Sequence, residues 1–158
     1  MAIEAVRRYL ADFGLDGRIQ ELGQSSATVE LAAQALGCAP AHIAKTLCFD
    51  VGGKAVLIVA AGDAKVANAK FKAQFHTKAK MPAPGDVERL AGHAVGGVCP
   101  FAVPPEARVY LDVSLRRFDT VYPACGSANS AIALSLPELE HASGCVGWVD
   151  VCKDWEAD

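Results

Sequence analysis

The sequence of 158 residues contains no apolar run approaching the roughly 18 residues that a membrane-crossing helix needs. Residues 1–8, Met-Ala-Ile-Glu-Ala-Val-Arg-Arg, lack the charge-then-apolar order of a secretory signal, so a cytoplasmic protein is expected. Aromatic residues make up only 7% of a chain that is 52% hydrophobic, so aliphatic and alanine side chains must fill the core. None of the six cysteines falls in a Cys-x-x-Cys pair, which leaves thioredoxin-like and zinc-ribbon readings without support. Neither Cys38 with His42 nor His93 with Cys99 is part of a four-ligand set, so neither a metal nor a cofactor is expected. A chain of this length does not need disulfide staples, and its cysteines are expected to be mostly buried thiols.

Acidic residues are missing where basic ones gather. The formal net charge is −3, yet residues 64–80 hold Lys65, Lys70, Lys72, Lys78 and Lys80 with no acid. That segment carries +5 and the remainder −8, the asymmetry that a locally basic docking face produces. A solvated lysine-rich helix accounts for it equally well.

What is present is a pattern of short, well-punctuated elements in one expected domain spanning 1–158. Residues 40–62 organise the rest, reading as two apolar strands joined by a Gly52-Gly53 turn, because glycine takes positive φ without a Cβ clash. Residues 55–61 are continuously apolar, as in a strand covered on both faces. Before this hairpin, Ile3, Val6, Leu10 and Phe13 mark a helix over 2–13 that stops at Gly14. A short strand is predicted over 18–22. Ser25, Ser26 and Thr28 then supply capping residues for a helix ending at Gly37.

Beyond the hairpin, Val66, Ala67, Phe71 and Phe75 predict an amphipathic helix with a basic outer face. A strand is predicted near 79–81 and a helix from Pro84 to Gly92. A glycine- and proline-rich loop over 93–105 precedes strands over 108–113 and 120–124. After a polar turn at 125–130 come a strand over 131–134, a helix opened by Pro137 and a strand over 146–151. Trp148 reads as core and Trp155 as part of an acidic tail. Mixed elements with tight turns between consecutive strands predict an α+β fold with a mixed sheet.

Lys45 stands where the first hairpin strand begins. Its amine either lifts to the rim of the sheet or positions an anionic or carbonyl oxygen. The pair Gly96-Gly97 either lets backbone approach a ligand, with N–H groups free for an oxyanion, or serves tight packing.

Four segments carry a further signal in their order: Ala41-His42-Ile43-Ala44-Lys45-Thr46-Leu47; Leu57 through Asp63, ending Ala61-Gly62-Asp63; Gly92-His93-Ala94-Val95-Gly96-Gly97-Val98-Cys99-Pro100-Phe101; and Gly126-Ser127 before a strand. Over about 28–151 this series resembles the YbaK-type aminoacyl-tRNA deacylase family, which is related to the editing insertion domain of bacterial prolyl-tRNA synthetase. The resemblance implies a curved mixed sheet with flanking helices, and a pocket for the 3′-terminal aminoacyl-adenosine of a mischarged tRNA. It assigns catalysis to Lys45 with the loop residues Gly96 and Gly97, and substrate binding to Thr28, Thr46, Pro100, Gly126 and Ser127. The five lysines would then meet tRNA phosphates. Some relatives place an acid just after the glycine turn, where this chain has Ala131, so the implied chemistry rests on positioning and oxyanion stabilisation.

Two other readings stay open at this stage. A non-catalytic tRNA- or RNA-binding module could use the same fold. A cysteine hydrolase would pair Cys99 or Cys125 with His93 or His141, although the spacing alone does not support that pairing.

Overall fold

The computed structural model describes residues 2–155. Helix α1 (Ala2–Ala11) buries the stripe Ile3, Val6 and Leu10. It ends two residues before the sequence pattern does, because Gly14, at φ 72°, turns the chain and Leu15 N–H returns to the Leu10 carbonyl. Strand β1 (Gln20–Glu21) is shorter than predicted. Helix α2 (Val29–Leu36) starts where Thr28 Oγ1 accepts the Leu31 N–H at 3.2 Å, and stops at left-handed Gly37.

A single 3₁₀ turn, Pro40–His42, feeds the hairpin of β2 (Ile43–Val51) and β3 (Lys54–Ala61). These strands pair antiparallel from Ala44 opposite Ala61 to Val51 opposite Lys54. Gly52 and Gly53 both take positive φ, and the Asp50 carboxylate accepts the Gly53 N–H at 2.9 Å, which closes the turn. All of β3 after Lys54 is buried, as its unbroken apolar run predicts.

β4 (Lys65–Val66) leads into α3 (Asn68–Phe75), which turns only its Phe71 fully inward, and α4 (Pro84–Ala91) follows. The strand predicted near 79–81 is absent from the described elements; one hydrogen bond, from Asp50 N–H to the Lys80 carbonyl, ties that segment to the hairpin. Pro82 lacks an N–H with which to extend a ladder there.

β5 (Arg108–Asp112) and β6 (Thr120–Pro123) flank a 3₁₀ segment, Val113–Arg117. The strand predicted over 131–134 is two pieces, β7 (Ser130–Ala131) and β8 (Leu134–Ser135), because they serve different partners, β1 and β6. Ser135 and Glu138 form a reciprocal capping box that starts α5 (Leu136–Ser143). The last predicted strand also divides, into β9 (Gly147–Val149) and β10 (Cys152–Lys153). The buried Asp112 carboxylate explains the break: it accepts the N–H groups of Ser114 and Val151 at 3.0 and 2.9 Å and draws the chain out of the ladder.

The main sheet has six strands in the order β8-β6-β2-β3-β5-β9, with parallel pairing at β2–β6, β3–β5 and β5–β9 and antiparallel pairing at β6–β8 and β2–β3. It is an α+β fold with a curved mixed sheet, and five α-helices among the described residues flank it. The core gathers Leu57, Ile58, Leu111, Leu139 and Phe101 around β3.

Both tryptophans pack against the core, and Trp155 is the one that departs from expectation. Trp148 is only half-buried, donating its indole N–H to Glu140 at 2.6 Å beneath the Arg116 guanidinium. Trp155 is no loose tail residue: it packs on the core, with Arg117 5.0 Å above its ring. Cys48, Cys99, Cys125 and Cys152 are buried, Cys38 and Cys145 half-buried, and all six are free thiols.

Candidate functional site

Strand β2 forms one wall of a cavity of about 310 Å³, which α2 and the loops around Ser26, Val95 and Ser130 complete. The wall is largely aliphatic, with Val29, Ile43, Leu47 and Val98 contributing. Lys45 is the one charged residue lining it among the described residues.

The register of the hairpin fixes Lys45 opposite Ala60, one step from where β3 ends. There the backbone carbonyls of Gly62 and Ala64 lie beyond the ladder, and both accept from the Lys45 ammonium, that of Gly62 at 3.4 Å. Gly62 allows this arrangement, since a Cβ at that position would lie 2.0 Å from the Pro40 carbonyl oxygen. The lysine is half-buried, and loss of hydration holds its pKa below the ordinary lysine range. Asp63, whose charge acts on Lys45, forms no ion pair with it and is instead bound in a fork by Arg117, at 2.6 and 2.9 Å, which holds that carboxyl below its usual range. An ammonium has three donors. Two go to carbonyls and one remains for a ligand.

The other sequence-assigned residues divide into cavity wall and support. Thr28, Thr46 and Gly96 line the cavity; Gly97, Pro100, Gly126 and Ser127 do not. Gly97 is buried, its N–H is engaged by the Ala94 carbonyl at 3.0 Å, and a Cβ there would come within 2.7 Å of the Gly126–Ser127 peptide. Of the two readings of the glycine pair, close packing describes Gly97, while Gly96, at φ 95°, is the member at the wall. Pro100 is buried. Gly126 packs against α1, where a Cβ would meet Ala2 and Val6 at 3.0 Å. Ser127 Oγ donates to Ser130 Oγ at 2.7 Å, and Ser130 does line the cavity. Ser26 also lines it, a position that the sequence marks only as one of three capping residues.

The structure does bring Cys99 and His93 together, with Sγ 3.4 Å from Nε2. Both are fully buried and neither lines the cavity. His93 Nε2 lies 2.7 Å from the Phe101 carbonyl, which can only accept, so the ring carries its proton on that nitrogen and cannot act there as a base toward the thiol. Burial also pushes the Cys99 thiol far above its ordinary range, opposite to what a nucleophile requires. Cys125 is likewise buried and pushed up to about 12, while His141 is exposed and packs edge-on against Phe13. Among the described residues, no group of three or more His, Cys, Asp or Glu side chains could hold a metal ion.

Lys65, Lys72, Lys78 and Lys80 are exposed and form no ion pair among the described residues, whereas Lys70 reaches Asp150 at 3.1 Å and the Cys152 carbonyl at 2.9 Å. Lys80 immediately precedes Met81, which is 63% exposed and lines the cavity, as does Val95 at 67%. The basic segment therefore runs up to an apolar cavity mouth. No helix among the described residues is long and apolar enough to cross a membrane.

Comparison with known proteins agrees with this fold. A model of the aminoacyl-tRNA editing domain matches residues 24–142. The chain is 48% identical over 157 residues to uncharacterized protein YwhH of Bacillus subtilis (strain 168), covering 99% of this chain and all of that one. It is 29% identical over 90 residues to proline–tRNA ligase of Lysinibacillus sphaericus (strain C3-41), covering 56% of this chain and 16% of the ligase. The crystal structure of a proposed trans-editing enzyme for prolyl tRNA synthetase superposes with a TM-score of 0.86 at 26% identity, over 96% of this chain and 97% of that one.

Proposed function

Because the chain belongs to the aminoacyl-tRNA editing domain family, we propose that it is a deacylase acting in trans, hydrolysing the ester that links a wrongly attached small amino acid to its tRNA. The observation that carries this reading is Lys45, a half-desolvated ammonium with a spare donor on the wall of an otherwise uncharged cavity.

An aminoacyl ester is already activated, so catalysis needs positioning and charge stabilisation more than a protein nucleophile. Water adds to the ester carbonyl carbon, and the carbonyl oxygen becomes an oxyanion. Lys45 donates its remaining N–H to that oxygen, in a setting where low hydration strengthens the interaction. Collapse expels the ribose oxygen, which takes up the proton that the attacking water gives up, and releases the free amino acid. Gly96 permits close backbone approach on one side, while Thr28 and Thr46 line the space for the substrate end. Gly97, Pro100, Gly126 and Ser127 contribute by holding the two loops in place. The exposed lysines guide the tRNA backbone toward the mouth at Met81 and Val95, in the cytoplasm where tRNA is charged.

Such an activity answers a physical need. One methylene in a binding pocket discriminates only about 10–200-fold, so charging of small amino acids requires a second sieve. The test is a deacylation panel of tRNAs charged with small amino acids, comparing wild type with Lys45→Ala. Hydrolysis of at least one ester, reduced by about 100-fold or more in the variant, supports the proposal. Binding of charged tRNA without hydrolysis would favour the binding-module reading, and undiminished hydrolysis by Lys45→Ala would remove the lysine from the mechanism.

A further inference from the structure

The two carbonyls that hold the Lys45 ammonium belong to a turn lying past the last rung of the β3–β5 ladder. β3 and β5 pair in parallel from Val56 opposite Arg108 to Val59 opposite Leu111. After Asp112 the chain leaves that ladder in the 3₁₀ segment Val113–Arg117. A side chain takes over where the strand stops: Ser114 is fully buried, and its Oγ accepts the Ala61 N–H at 3.1 Å. The Ala61 carbonyl in turn accepts the Ala64 N–H at 2.9 Å, which closes the turn carrying the Gly62 and Ala64 carbonyls.

Ser114 is itself fixed. Its N–H donates to Asp112 Oδ2 at 3.0 Å, and the other oxygen of that fully buried residue accepts the Val151 N–H at 2.9 Å. The Val151 carbonyl accepts the Ala67 N–H at 2.8 Å. The segment 61–67 is therefore anchored at both ends, through Ser114 before the turn and Val151 after it. Neither Ser114 nor Asp112 lines the cavity, so their effect on a ligand must pass through this turn. Lys45 has a long flexible stem, and where its amine points depends on the acceptors presented to it. Misplacing a catalytic group by about 1 Å can cost about 100-fold in rate.

Resting on the deacylase reading, in which Lys45 stabilises the oxyanion, we propose that Ser114 is a positioning residue: its hydroxyl locks the 61–64 turn so that the Gly62 and Ala64 carbonyls aim the Lys45 ammonium into the cavity.

Ser114→Ala removes the acceptor and no charge. Two properties are measured in wild type, Ser114→Ala and Leu139→Val. The first is kcat and KM for deacylation. The second is the pH titration of the Lys45 ε-carbon by NMR, its signal identified by its absence from Lys45→Ala. Leu139 is buried in α5, outside the turn and the cavity wall, so Leu139→Val controls for a general loss of stability. Ser114→Ala is expected to lower kcat about 10–100-fold with little change in KM, as loss of a transition-state interaction does. Carbonyl acceptors favour the charged amine, so loosening them should also move the Lys45 midpoint further down. Cys152, Asp63, Glu30 and Lys65, which act on Lys45 electrostatically, are intact in this variant. Leu139→Val should change neither property. A midpoint that stays or rises in Ser114→Ala overturns the proposal, as does an unchanged kcat. Equal effects in Leu139→Val overturn it too, assigning Ser114 to general stability. Should Ser114→Ala fail to fold, Ser114→Cys offers a weaker acceptor of similar size. It is expected to shift both properties in the same direction by less, and unchanged values there overturn the proposal. A wild type that cleaves no ester fails at the earlier step, as a deacylase, while the Lys45 titration still decides whether Ser114 holds the amine.

Discussion

Gly97 rests against Gly126 so closely that a Cβ on the first would lie 2.7 Å from the carbonyl carbon of the second. Two loops far apart in sequence meet at this contact. One presents Gly96 to the cavity; the other carries Ser127, whose hydroxyl meets that of Ser130. Gly97→Ala must part them, since the facing atoms are backbone and cannot rotate away. The expected result is a folded protein destabilised by about 1–3 kcal/mol, the usual cost of overpacking. Its kcat/KM should fall more than its melting temperature alone accounts for. Denaturant titration beside single-turnover deacylation reads both, and a variant with wild-type kinetics would separate this contact from function.

Lys45 gives a pH dependence with a definite sign. Burial favours the neutral amine, so the folded-state pKa lies below that of the unfolded chain. The cost of burying the ammonium is fully present below the folded pKa and is relieved as pH rises from there toward the unfolded value. Oxyanion stabilisation needs the ammonium, so enzymatic hydrolysis should fall over the same interval in which this residue ceases to oppose folding. Deacylation rates, corrected for spontaneous ester hydrolysis, should show an alkaline limb below the ordinary lysine range. A rate that keeps rising through that range would contradict the assigned role.

Arg117 joins three parts of the chain beside this site. Its guanidinium forks onto Asp63, donates to the Ser114 and Trp155 carbonyls, and lies over the Phe118 and Trp155 rings. Arg117→Ala is expected to cost about 1–3 kcal/mol, mostly through lost hydrogen bonds and packing, because an exposed ion pair alone contributes little. The Asp63 carboxyl, held low chiefly by its hydrogen bond to Arg117, contributes stability that is present above its unfolded pKa and lost as pH falls through the folded one. Wild type should therefore lose part of its advantage over the variant on acidification, as urea titrations at neutral and acid pH can measure. An acid-independent difference would leave packing as the whole effect.

Local rules made much of this molecule readable in the sequence. The Gly52-Gly53 turn, the apolar run of β3 and the position of Lys45 follow from turn chemistry and periodicity, which depend on neighbours in the chain. What escaped depends on distant partners. Ser26 is indistinguishable in sequence from Ser25 and Thr28 as a capping residue; only its N–H bond to Ala128 and its burial place it at the cavity. Gly96 and Gly97 look equivalent, and the Gly126 backbone alone separates their tasks. The last strand divides because Asp112, some 40 residues earlier, captures the Val151 N–H. Trp155 joins the core because Arg117 lies over it.

The basic segment yields the most direct test of tRNA contact. Each phosphate neutralised by a lysine releases counterions, so every lost contact should flatten the slope of log binding constant against log salt by about 0.7–0.9. Lys72, Lys78 and Lys80 are exposed on α3 and the segment that follows it, and Lys65 lies in β4. Glutamine at any one of these should weaken binding of uncharged and aminoacylated tRNA alike, with little change in melting temperature. Lys70 should behave differently. It already donates to Asp150 and the Cys152 carbonyl, so Lys70→Gln should lower stability at least as clearly as it lowers the salt slope. The order along the chain adds a second criterion. Lys80 adjoins Met81 at the cavity mouth, so its loss should also raise KM for a short 3′-terminal fragment too small to reach Lys65. Equal salt slopes for wild type and all four exposed-site variants would return the segment to the role of a solvated helix face.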